Sequence, residues 1–110
     1  MIDDAVETIG RRLVAALAQL PHFRAGRRDG EVVNTRTGER VTPSDDDDGF
    51  DHGVVTVISP DESATAMPGH HYLDRQLVVA AREELGKVDE REIARRAAEL
   101  LAHLRRDYSI

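Results

Sequence analysis

Residues 2–20 carry the feature that most restricts what this chain can fold into. Ile2, Val6, Ile9, Leu13, Ala16, Leu17 and Leu20 recur at steps of three and four, which places them on one face of a helix. Asp3, Asp4 and Glu7 put negative charge at that helix's positive end, with Asp4 and Glu7 in capping-box spacing. Pro21 stops the helix, because its ring cannot follow in the hydrogen-bonded ladder. A lone amphipathic helix of this length has nowhere to bury its stripe, so the rest of the chain must supply a matching apolar surface.

A second stripe lies at the other end of the chain. Ile93, Ala97, Leu100, Leu101 and Leu104 share one helical face, which predicts a helix over 89–106. Asp89 caps it with Glu92 three residues on, and Arg105 and Arg106 complement its negative C-terminal end. Between the two stripes the chain turns β-branched. Val54, Val55, Val57 and Ile58 predict a strand over 53–59. Glu31–Asn34 and Arg40–Thr42 flank a Gly-containing turn in which Gly38 supplies a positive φ, so 31–42 reads as a hairpin, ended by Pro43. His22–Gly30 reads as a Gly- and Arg-rich connector anchored on the core by Phe23, and 62–69 as a loop crossing between strands.

Residues 71–85 fit two patterns. As a strand, Leu73, Leu77, Val79 and Ala81 point one way and Tyr72, Asp74 and Gln76 the other. As a helix, Leu73, Leu77, Ala81 and Leu85 form a stripe that Glu83 and Glu84 favour. Gly86 ends the element in both cases. The simplest architecture that buries both terminal stripes is α+β: helices packed on one sheet, as a single domain over 1–110.

Composition then narrows the function. Aromatic residues make up 4% of the chain and Trp is absent, so the core rests on Leu, Ile, Val and Ala. The balance of 21 acidic to 15 basic residues, a formal charge of −6, argues against a dedicated nucleic-acid binder. With no Cys there are no disulfides, thiolate metal sites or thiol nucleophiles. No apolar run approaches the ~20 residues of a membrane span and the N-terminus lacks a signal peptide's basic region, so the chain reads as soluble, unexported and without a membrane partner.

The acidic stretch Ser44–Gly53 invites a metal reading. Aligning Gly49 on the invariant Gly of an EF-hand loop puts Ser44, Asp46 and Asp48 at ligand positions but Val55 where the bidentate Glu belongs. An exposed loop rich in like charges is the plainer reading. His52, His70 and His71 lack zinc-site spacing, and Ser44, Ser59, Ser63 and Ser109 sit in no Gly-x-Ser-x-Gly setting. No metal, cofactor or catalytic group is therefore expected, and the chain reads as a non-enzyme. A metal-dependent hydrolase would need these Asp and His residues to converge in one pocket. Arg24, Arg27 and Arg28 form a local basic cluster near which Arg36 and Arg40 can lie.

Three stretches resemble the phage minor tail protein U, or tail-terminator, family. The opening helix ends in Leu17-Ala18-Gln19-Leu20-Pro21. The acidic loop runs into a Val-rich strand, Asp48-Gly49-Phe50-Asp51-His52-Gly53-Val54-Val55-Thr56-Val57-Ile58. Then Tyr72-Leu73-Asp74-Arg75-Gln76-Leu77-Val78-Val79-Ala80-Ala81 looks like the family's long strand, followed by a closing helix from Asp89 through Leu104. The resemblance implies a strand over 71–83, and a structural virion protein that forms a hexameric ring on the tail tube. Such a ring ends tube polymerisation and joins tail to head. Its implied partners are copies of itself, the tail tube protein and a head–tail connector or stopper, with DNA met only by passage through the ring. Its place would be the virion tail, assembled in the host cytoplasm. Candidate subunit or tube contacts are Arg24, Arg27 and Arg28 with Asp45, Asp46, Asp47, Asp48 and Asp51. A small acidic inhibitor or accessory subunit that binds a basic protein accounts for the same charge and size.

Overall fold

The structure, a computed structural model, describes residues 9–44 and 53–110. The first described helix, α1 (Ile9–Leu17), buries Leu13, Val14, Ala16 and Leu17 as the stripe requires. Residues 2–8 of the expected helix lie outside the described residues. After Leu17 the ladder tightens: the N–H groups of Gln19 and Leu20 reach back three residues to the carbonyls of Ala16 and Leu17, each at 3.0 Å, before Pro21 ends the run.

Five strands follow, β1 (Phe23–Ala25), β2 (Val32–Asn34), β3 (Arg40–Pro43), β4 (Val54–Ile58) and β5 (Ala64–Pro68), pairing in sequence order as one antiparallel meander. The expected hairpin is β2–β3, with Val32 opposite Val41 and Gly38 at φ +79° in its turn. The expected Val-rich strand is β4. Burial alternates along it: Val55 and Val57 are buried while Val54, Thr56 and Ile58 are half-exposed. One sheet face therefore looks into the core and the other does not.

The helix α2 (Gly69–Leu85) comes next, then α3 (Glu90–Tyr108). Asp89 caps α3 by accepting from the Glu92 N–H at 2.9 Å, and Arg105 and Arg106 sit in its last turn. α1 packs directly on β3 and β4, α2 packs beside α1, and α3 closes over both. Leu13, Leu17, Val41, Val55, Leu73, Leu77, Ile93 and Leu104 share one core. The fold is thus α+β, with its helices on one face of one sheet.

Three expectations are corrected. The strand implied over 71–83 is the middle of α2. Tyr72, Leu73, Gln76, Leu77, Ala80 and Ala81 are all buried, a helical spacing that a strand would split between two faces. Residues 62–69, expected as a crossing loop, contain β5, which takes the place beside β4 that the 71–83 strand would have held. The 22–30 connector contains β1, in which only Phe23 is buried.

Candidate interaction surface

Strand phase defines the surface. Val41, Val55 and Val57 face the helices, so their neighbours face away. Cross-strand register then lines up Arg24, Val33, Arg40, Ile58 and Ala64 across all strands of the outer face, with Thr42, Thr56 and Ala66 as a second row. The outer face is mostly small or β-branched. Among the described residues no helix covers it.

The two margins of the sheet differ. β1 is short, and its exposed Arg24 lies near Arg27 and Arg28 of the β1–β2 turn. These three arginines, with Arg40, line a groove of about 510 Å³ that also contains Glu31 and Glu62. Arg40 pairs with Glu62 at 2.9 Å and stands 3.9 Å from Glu31, whereas Arg24, Arg27 and Arg28 form no ion pair among the described residues. The Glu31 carboxylate is buried, and its Oε1 accepts from the Arg27 N–H at 3.1 Å. Gly26 leaves room for it: a Cβ there would come within 2.3 Å of Glu31 Oε1. The expected proximity of Arg40 to the basic cluster is therefore observed. Arg36 instead pairs with Glu83 on α2. Asp45, Asp46, Asp47, Asp48 and Asp51 lie outside the described residues.

β5 forms the other margin, and Ala64, Thr65, Ala66 and Met67 bring no charge to it. Behind it, a groove of about 740 Å³ runs between the sheet and α2, bordered by Thr65, Met67, Tyr72, Arg75 and Val79. Sequence reasoning missed this margin, because an exposed strand leaves no apolar alternation to read.

A buried polar relay closes the groove toward the hairpin. Asn34, 1% exposed, donates from Nδ2 to the Tyr72 hydroxyl and to Gln76 Oε1, both at 3.2 Å. Its Oδ1 accepts from the Arg36 N–H at 3.0 Å. Gln76 Oε1 also accepts from His22 Nε2 at 2.9 Å, and the Tyr72 hydroxyl donates to Glu39 Oε1 at 3.2 Å. Burial, reinforced by the Glu39 charge, pushes the Tyr72 pKa up from 10.0 to about 12 against the opposing Asn34 bond. Tyr72 therefore stays protonated at neutral pH and serves as a hydrogen-bond donor rather than a base. Chemically, the relay fastens α2 to the hairpin.

Of the histidines considered as ligands, His70 and His71 lie in the first turn of α2, and His52 lies outside the described residues. Among the described residues no group of three or more His, Asp or Glu side chains converges as a metal site. Among the described residues no helix is long and apolar enough to cross a membrane. No family model, no curated protein and no solved structure matches the chain.

Proposed function

We propose that this chain is a structural, non-catalytic subunit that works by packing against copies of itself and its neighbours, in the particular form of a tail-terminator ring. The observation that carries this reading is the one-sided fold. All described helices occupy one sheet face, leaving an opposite face of Val33, Arg40, Thr42, Val54, Thr56, Ile58 and Ala66, mostly small or β-branched, between a basic margin and an uncharged one. A subunit with unlike margins suits head-to-tail packing that repeats until the rotation closes. Arg24, Arg27 and Arg28, which have no ion-pair partner among the described residues, suit an acidic surface such as the Asp45–Asp51 stretch of the next copy. In this reading the ring caps the tail tube and meets the head connector.

The helical form of residues 69–85 removes one of the three stretches behind the resemblance, and it favours a second reading. That reading is a small acidic module, formal charge −6, that blocks a basic partner. Negative-stain electron microscopy of the concentrated protein, alone and with isolated tail tubes, separates the two. Closed rings seated on tube ends are expected. Particles that remain solitary and leave tubes uncapped would sink the ring and favour the module.

A further inference from the structure

We infer that β5 is a self-pairing edge: two copies join Ala64–Pro68 to its twin, antiparallel about a two-fold axis through Thr65, making one continuous sheet across both. The inference rests on the open edge and stands apart from the ring reading.

The hydrogen-bond phase comes from two bonds that flank β5. The Gly69 N–H donates to the Gly53 carbonyl at 2.6 Å and the Ser59 N–H to the Ser63 carbonyl at 2.9 Å. In the register that pairs Val57 with Thr65 and Val55 with Met67, these fix Thr65 and Met67 as the residues bonded to β4. The N–H and C=O groups of Ala64 and Ala66 therefore point away from the sheet. Both residues are exposed, and no hydrogen bond engages those outward groups among the described residues.

An edge of this kind is normally protected by a charge, a bulge, a central proline or a cover. β1 has such protection in its shortness and in Arg24. β5 has none between Ala64 and Met67; its proline, Pro68, stands at the very end.

The occupant follows from register. Setting Ala64 opposite Ala66 of a second copy lets each such pair exchange two bonds, which satisfies every outward group of both residues. Thr65 then faces its twin in the closer, non-hydrogen-bonded position, and both strands keep the same face toward their helices. A register one pairing further along, Ala66 on Ala66, would set Ala64 against Pro68, which has no N–H to give. The edge is thus best complemented by itself, and no like charges meet across it.

Because the chain has no cysteine, one substitution reports the geometry. Thr65→Cys brings two Cα atoms to about 4.5 Å, within the range a disulfide spans. Mild oxidation of the full-length variant is expected to accumulate covalent dimer, while Arg24→Cys on the other margin stays monomeric. Sedimentation velocity on the unmodified chain should show reversible dimer at high concentration. Ala66→Pro, which deletes one outward N–H and spares the β4 ladder, should lose that dimer with its circular dichroism unchanged. Monomer at every concentration, cross-linking no greater for Thr65→Cys than for Arg24→Cys, or a dimer that survives Ala66→Pro would each overturn the inference. Rings from a chain that gives no Thr65→Cys cross-link and no Ala66→Pro-sensitive dimer would sink this pairing and leave the ring reading intact; such a dimer that forms no rings would do the reverse.

Discussion

Asn34 shows how much of this fold depends on single polar atoms. It is buried at the end of β2, yet its amide serves Tyr72, Gln76 and the Arg36 N–H at once. Asn34→Ala would take one bond each from Tyr72 and Gln76 and leave the part-buried Arg36 N–H without its acceptor, and chemical denaturation should show a loss of about 1–3 kcal/mol. Tyr72 adds a pH signature. Its pKa is raised in the fold, so the folded state holds that proton more tightly than the unfolded chain. Its contribution is complete below pH 10.0 and drains away as pH rises toward about 12. Tyr72→Phe should therefore flatten the alkaline fall in stability over that window, measured by unfolding at a series of pH values. Gly26 is set by close approach: the buried Glu31 side chain occupies the space where a Cβ would stand. Gly26→Ala should cost about 1–3 kcal/mol. That penalty should largely vanish in a Glu31→Ala background, which a double-mutant cycle reads directly.

At the level of elements, the junction of β5 and α2 is the tightest point. A Cβ on Gly69 would lie 2.5 Å from Leu13 Cδ1 on α1 and 2.7 Å from the Gly53 carbonyl before β4. The side chain could shift, but the carbonyl belongs to the bond that starts the β4–β5 ladder. Intrinsic propensity favours Ala over Gly in a helix by about 1 kcal/mol. Gly69→Ala should nevertheless destabilise, because α1, β4 and α2 would all have to part. Thermal unfolding checks the sign. This junction also explains why α2 could be mistaken for a strand. Its apolar residues fit both periods, and what decides between them is a neighbour: β5 already occupies the sheet margin, and Asn34 and His22 meet Gln76 on a helical face shared with Tyr72. Glu83 and Glu84, read from sequence as helix-favouring, pair with Arg36 and Arg96.

As a whole molecule, the protein is a one-sided sandwich with a net charge of −6 and a local basic corner. Reversing that corner with Arg24→Glu, Arg27→Glu and Arg28→Glu should change folding stability little, because these side chains are exposed and make no ion pairs among the described residues. If the proposed ring forms, the same variant should fail to close it in the electron microscope, since it would set like charges against the acidic stretch of the next copy. Rings that form normally would remove the basic corner from the assembly.

Residue order alone was enough for the parts whose burial is written into their own spacing: the described part of the N-terminal helix, the C-terminal helix with its Asp89 cap, the β2–β3 hairpin, β4 and hence the α+β class. In each, one face meets the core, and the period of that contact is the period of the residues. Contacts made only in the folded chain fixed β5, β1 and the helical state of residues 69–85. β5 and most of β1 are held by backbone bonds to a neighbour and bury almost nothing, so selection for burial left no pattern in them. α2 carries a pattern compatible with two conformations, and what selects the helix is the strand already lying beside β4 together with the Asn34 amide and His22 Nε2, which both donate to Gln76.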